Sequence, residues 1–176
     1  MESVDLTRLA IDATSDARVA ASGHRWLLEL PDEPVLVRGD EHRLHQVLAN
    51  LMSNAAKHTP RGTTVTVALA VAAGAPDQVR LSVTDDGPGI AADLQSTLFE
   101  RFVRADTSRS RAAGSTGLGL AIVDAVTAAH GGSVSMTSQP GRTRFVITLP
   151  RLATPGPEPA PRQRVTPGDD HAPQPS

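Results

Sequence analysis

Apolar positions along this chain switch between a helical period and strict alternation, and the switches mark out its elements. From Val4 to about Ala21, Leu6, Leu9, Ala10, Ala13 and Ala17 recur at helical spacing. Trp26, Leu28 and Leu30 then alternate as in a strand, and Val35 to Val37 form a second short run before Gly39. Asp40 is placed to cap the strongest helix, in which Leu44, Val47, Leu48, Leu51, Met52 and Ala55 make one apolar stripe. Thr59-Pro60-Arg61-Gly62 ends it, because proline removes a backbone donor and glycine permits a turn. Val65, Val67, Leu69 and Val71 alternate, a Gly74-Ala75-Pro76-Asp77 turn follows, and Val79, Leu81 and Val83 alternate again. Leu94, Leu98 and Phe102 predict a short helix. Leu118, Ile122, Ala125, Val126 and Ala129 predict a longer one, stopped at Gly131-Gly132. Val134 and Met136, then Phe145, Ile147 and Leu149, are two closing strands joined through Pro140-Gly141. Helices with mostly hairpin-linked strands predict an α+β sandwich, with helices on one face of a mixed sheet.

Composition narrows this picture. The 176 residues suit one domain with a real core, but only 2% are aromatic, so Leu, Val, Ile and Ala must fill it. A net charge of -2 and scattered arginines give no reason to expect nucleic acid or an anionic membrane as partner. There is no cysteine, which excludes disulfides and thiolate–metal sites. No apolar run approaches the ~20 residues that cross a bilayer, and no secretory signal is seen, so the default expectation is a soluble cytoplasmic domain without direct membrane contact. Residues 1–150 read as one domain. Residues 151–176 hold seven prolines and almost nothing apolar, so they are expected to form a disordered tail, with a proline-rich docking segment as the other reading.

Three segments carry candidate chemistry. Asn50, Asn54, Lys57 and His58 share a polar stripe beside the apolar one, since helix positions advance about 100° per residue. An asparagine carbonyl is a hard oxygen ligand of the kind Mg²⁺ accepts alongside waters and phosphates. Lys57 could neutralise phosphate charge, and it is the chain's only lysine. A solvated helix face with chance asparagines is the plainer alternative. In the second segment, Asp85-Asp86-Gly87-Pro88-Gly89-Ile90, period two puts Asp85 on the same buried face as Val79, Leu81 and Val83. An inward carboxylate needs a partner, and the exocyclic amino group of adenine could be one. Gly87 and Gly89 would let backbone approach a flat ring. The alternative is an Asp-Gly turn in which the acid binds its own backbone. Asp86, on the opposite phase, should face solvent. The third segment, Gly114-Ser115-Thr116-Gly117-Leu118-Gly119-Leu120, is a glycine-rich turn opening a helix, where backbone amides and the dipole favour polyphosphate. A simple flexible turn fits it equally well. It is neither a Walker A loop nor a Rossmann fingerprint. Together the segments read as an ATP site.

Their order and combination resemble the catalytic, ATP-binding domain of sensor histidine kinases, in the gyrase–Hsp90–histidine-kinase–mismatch-repair (GHKL) superfamily. The stretch Arg43 to Thr59 is similar to the asparagine box, Asp85 to Ile90 to the first glycine box, Leu98 to Arg104 to the phenylalanine box, and Gly114 to Val123 to the second glycine box. The likeness runs from about Val4 to Pro150. It implies a two-layer sandwich of the Bergerat type. It implies that Asn54 binds Mg²⁺, that Asn50 and Lys57 contact phosphates, and that Asp85 binds adenine. Gly87, Gly89, Ile90, Gly114, Thr116, Gly117, Leu118, Gly119 and Leu120 would line the nucleotide. Arg104 matches the family arginine that approaches the terminal phosphate, so Asn50, Lys57 and Arg104 form the implied catalytic set. Residues 105–116 would be a lid anchored by Phe99 and Phe102. His58 stands where many relatives have tyrosine, and Ser115 replaces a frequent glycine.

Two details bear on the reaction. Where ATP-hydrolysing relatives and anti-sigma serine kinases have a glutamate that activates water or hydroxyl, this chain has Asn50, whose amide is not basic. Neutral histidine is already nucleophilic and needs less activation. The substitution therefore favours phosphoryl transfer to histidine, with catalysis largely by positioning and charge neutralisation. The six histidines here lack the His-Glu-x-x-x-Pro-like setting of family acceptors. The acceptor is therefore expected on a separate dimerising hairpin, in cis or trans, which would pass the phosphoryl group to a response regulator. His24 and His42 read as surface residues and His130 as a cation at a helix C-terminus. The rival readings are a serine kinase that binds a sigma factor, a nucleotide-binding interaction module without transfer, and a structural scaffold.

Overall fold

The computed structural model describes residues 1–96, 98 and 116–153, with side chains from 119 onward in the last stretch. Phe99, Phe102, Arg104, Gly114, the lid segment up to residue 115 and the tail from 154 lie outside the described residues.

The chain opens with strand β1 (Glu2–Asp5), followed by helix α1 (Leu6–Ala20), β2 (Arg25–Glu29), β3 (Leu36–Gly39) and α2 (Glu41–His58). Next come β4 (Thr64–Ala72), β5 (Ala75–Asp85), α3 (Thr116–Ala129), β6 (Ser133–Gln139) and β7 (Arg142–Pro150). Two departures from the sequence pattern stand at the start. Val4 belongs to a strand, paired with Val37, rather than to the first helix. The helix begins only where Asp5 can cap it, its Oδ1 accepting from the N–H groups of Thr7 at 2.9 Å and Arg8 at 3.2 Å. The β4–β5 turn is also tighter than expected. Gly74 takes a φ of +79°, and Ala72 pairs with Ala75, so residues 75–77 join the strand.

The main sheet has the order β2-β4-β5-β7-β6, with β2 parallel to β4 and the remaining pairs antiparallel. β1 and β3 make a separate two-stranded sheet. The result is the mixed-sheet sandwich expected, with α1, α2 and α3 packed on one face. Strand register puts inward side chains in rows across that face. One row runs Leu69, Leu81, Ile147, Val134, and the next runs Val67, Val83, Phe145, Met136. Against them lie Leu44, Val47, Leu48, Leu51 and Met52 of α2, all buried. Each fully buried apolar side chain contributes about 1.5–3 kcal/mol relative to exposure, so this layer is the main source of stability.

α3 is rotated from the phase its apolar spacing predicts. Ala125 and Ala129 are exposed, while Leu120, Val123, Thr127 and His130 are buried. This helix is apolar on nearly every side, so periodicity defines its face weakly and packing against α2 decides it. His130 is consequently not an exposed cation. Its ring is buried, with Nδ1 at 2.7 Å from the Val126 carbonyl and Nε2 accepting the Asp40 N–H at 3.0 Å. The chain stays attached past Pro150, with Arg151 N–H donating to the Asp77 carbonyl and Leu152 N–H to that of Leu36. Among the described residues no helix is long and apolar enough to cross a membrane.

Candidate nucleotide site

A third row of the sheet breaks the apolar pattern. One step beyond Val67, Val83, Phe145 and Met136 lie Val65, Asp85, Thr143 and Ser138, in register and on the same inner face. Asp85 is 7% exposed and Thr143 is 4% exposed. The apolar layer thus ends in a carboxylate flanked by hydroxyls. Ser138 Oγ lies 2.8 Å from Thr143 Oγ1 and accepts the Ile90 N–H at 2.8 Å. Burial raises the Asp85 pKa above the ordinary carboxylate value. The Gly87 N–H, donated to its Oδ1 at 3.1 Å, opposes that shift; the Asp86 charge adds to it and His24 opposes it. The Asp-Gly turn and the inward carboxylate are therefore both present at once. Asp86 is exposed as expected, and its Oδ1 accepts the Thr64 N–H at 2.7 Å, tying the turn to β4.

The two glycines of this turn have internal reasons for being glycine. A Cβ on Gly87 would sit 2.6 Å from Thr59 Cγ2 and 2.8 Å from Asp85 Oδ1. Gly89 has a φ of +83°, and its Cβ would sit 2.6 Å from the Gln139 carbonyl oxygen. The Gly87 carbonyl accepts the Gly141 N–H at 2.9 Å, so the β6–β7 turn backs the loop. Thr59 closes the other side. Its hydroxyl donates to the Ala55 carbonyl at 2.6 Å, which leaves its oxygen to accept from His24 Nε2 at 2.9 Å. His24 is thus half-buried behind the carboxylate turn rather than a plain surface residue.

On α2, Asn50 and Asn54 are half-buried while Lys57 and His58 are exposed. Asn50 Nδ2 is buried and has no hydrogen-bond partner among the described residues. Across from it lies α3: a Cβ on Gly119 would stand 3.8 Å from Asn50 Oδ1. The fold therefore brings the first and third sequence segments together at Asn50 and Gly119. The C-terminal end of α2 meets the second segment at Thr59 and Gly87. Thr116, Gly117 and Leu118 form the first turn of α3. Ile90 is half-buried against the core, and Leu120 belongs to it. Thr143, Ser138 and Thr59 escaped the sequence reading. Thr143 and Ser138 become visible only once β7 is set in register with β5 and β6.

The family described as histidine kinase-, DNA gyrase B-, and HSP90-like ATPase matches residues 39–153, the span that holds every element of this site. The chain belongs to that family. Over 147 residues it is 58% identical to the probable sensor histidine kinase TcrY of Mycobacterium tuberculosis, covering 84% of this chain and 30% of that protein. The mycobacterial sensor histidine kinase MprB superposes with a TM-score of 0.70 at 33% identity, covering 87% of this chain and all of that one. Full-length ShkA in complex with AMPPNP superposes with a TM-score of 0.67 at 31% identity, covering 86% of this chain and 31% of that one. The chain thus corresponds to the catalytic ATPase domain of sensor histidine kinases and spans about a third of the length of such curated relatives.

Proposed function

We propose that this domain binds Mg-ATP and donates the γ-phosphoryl group to a histidine on a separate dimerising hairpin, from which a response regulator is phosphorylated. The observation that carries the reading is the polar row Asp85–Thr143–Ser138 at the edge of an apolar sheet, adjoining a helix whose buried Asn50 Nδ2 has no partner among the described residues. An adenine amino group supplies Asp85 with a donor beyond the Gly87 N–H, and a phosphate oxygen supplies an acceptor for Asn50 Nδ2. Among the described residues no cluster of three or more His, Asp or Glu side chains could hold a metal. Mg²⁺ would instead take an amide oxygen from Asn54, with phosphate and water oxygens completing its shell, which suits its preference for hard ligands. When bound it would neutralise phosphate charge. Lys57, one turn beyond Asn54, stands exposed toward solvent and is suited to reach phosphates, and Arg104, outside the described residues, takes the family arginine's role. Residues 105–116 are assigned as the lid and those after Leu152, whose N–H still bonds the Leu36 carbonyl, as mainly a solvated tail, with the domain working in the cytoplasm.

Asn50 cannot serve as a general base, and none is needed for an imidazole nucleophile. Transfer is then a matter of alignment and charge neutralisation. Calorimetric titration of the chain with Mg-ATP should give saturable heat. Radiolabelled ATP should mark an added acceptor hairpin and leave the isolated chain unlabelled. Absence of binding heat overturns the nucleotide site, and label on the chain alone overturns the division of labour.

A further inference from the structure

α2 and α3 run antiparallel and touch at two levels, one near each end of α3. At one end Asn50 faces Gly119. Ten residues earlier on α2 and eleven later on α3, Asp40 meets His130. The pairs are about 15 Å apart along the axes, at 1.5 Å rise per residue. Asp40 is the N-cap of α2, its Oδ1 accepting the Arg43 N–H at 3.1 Å. His130 terminates α3, where Gly131 turns with a φ of +71° and Gly132 N–H returns to the Thr127 carbonyl at 3.0 Å. One imidazole therefore bonds the last turn of α3 through Nδ1 and the N-cap residue of α2 through Nε2. Because Nε2 accepts a backbone N–H, the ring is neutral with its proton on Nδ1, donated to Val126. The ring also packs over Gly39, where a Cβ would stand 2.8 Å from His130 Cδ2 and 2.8 Å from Leu44 Cδ1.

We propose that His130 is a positioning residue for nucleotide binding. It fixes the axial register of α3 on α2, and so sets the α3 N-terminal amides over Asn50. The proposal rests on the nucleotide reading for its functional consequence but not for its structural one. Its readouts are therefore two. Mg-ATP affinity of the full chain is measured by calorimetry for the wild type, His130→Ala, His130→Gln and Gly39→Ala. The Asn50 side-chain amide is followed by NMR in the same chains without nucleotide. His130→Ala should weaken Mg-ATP binding roughly three- to thirty-fold, the range seen for residues that act on a site through packing. His130→Gln keeps an acceptor for the Asp40 N–H and should recover most of that loss. Gly39→Ala, which crowds both the ring and the Leu44 side chain without removing either, should weaken binding as His130→Ala does. The Asn50 amide resonance should move in the alanine variants and return toward the wild-type position in His130→Gln. A lowered melting temperature in the alanine variants, with nucleotide affinity and the Asn50 resonance unchanged, shows a structural role only and overturns the proposal. A wild-type chain that binds no nucleotide overturns the site reading, while the Asn50 resonance still decides the helix register.

Discussion

Replacing Asp85 by Asn tests the chemistry of the site with little disturbance to its shape. The two side chains are isosteric, and the asparagine carbonyl can still accept the Gly87 N–H now held by Oδ1 at 3.1 Å. What disappears is a charge on an inner face that is 7% exposed. A hydrogen bond to a charged group is worth about 1.5–3 kcal/mol against about 1 for a neutral one, and an asparagine turned to satisfy Gly87 points its NH₂ donors at the adenine amino group. Adenine-nucleotide affinity should therefore fall roughly 10- to 100-fold. Stability should go the other way. Burial raises the Asp85 pKa in the folded chain above its unfolded value, so the folded state holds the proton more tightly. The stabilisation from that proton is complete below the unfolded pKa and is lost as pH rises through the folded one. At neutral pH the wild type thus bears the cost of a desolvated carboxylate that the variant does not. Asp85→Asn should melt at the same or a higher temperature than wild type at neutral pH, and this advantage should shrink on acidification below the carboxylate range. Calorimetric titration and thermal scans at the two pH values measure both effects. A variant that binds Mg-ATP as wild type does, or that loses more than about 2 kcal/mol at neutral pH, would refute the reasoning.

Four other outcomes follow from the packing. Leu48→Ala, at a fully buried position of α2, should cost about 2–5 kcal/mol in urea unfolding, since the sheet rows leave little room to collapse. Gly89→Ala should cost about 2 kcal/mol or more, because it adds both a left-handed φ penalty and a clash with the Gln139 carbonyl. Asp40→Ala should lower stability at neutral pH; the Arg43 N–H holds the Asp40 pKa down, so the difference from wild type should narrow as pH falls through that lowered value. Asn54→Asp should impair Mg-ATP binding or transfer to an added acceptor hairpin, and unchanged titration and labelling would contradict its assigned role.

Strand alternation and the α2 stripe were legible because each has one clean period and one buried face. Val65 to Leu69, Val79 to Val83 and Leu44 to Ala55 sit as their spacing indicates, and so does the inward turn of Asp85, whereas Val71 is exposed because the ladder shifts register between Val71 and Ala72. α3 was legible as a helix but not in phase, because a helix apolar all round has no unique face until a partner supplies one. Val4 was misplaced for a related reason. A four-residue strand bonded to residues more than thirty positions away leaves no local trace, and Asp5 reads as a cap only once the strand before it is known. Of the site, the side chains that bear charge or amide were visible. The side chains behind them were not: Thr143, Ser138, Thr59 and His24 gain meaning only from register and from the return of distant turns. His130 is the clearest case, its role depending on Asp40, ninety residues earlier.

The site's two ends are built on opposite principles. At the carboxylate end, Gly87 and Gly89 are required by Thr59, Asp85 and Gln139, and the N–H groups of Asp86, Gly87 and Ile90 and the Gly87 carbonyl all have partners within the protein. That turn holds its shape without a ligand, which limits the ordering entropy lost on binding. At the α2–α3 end, Asn50 Nδ2 is buried with no hydrogen-bond partner among the described residues. A buried unmade hydrogen bond costs about 1–3 kcal/mol, and an apolar side chain there would remove the cost. An amide retained there costs stability that an acceptor bound at the site would recover. On the proposed nucleotide reading, the Asn50 end is therefore explained less by folding than the carboxylate end and more by binding.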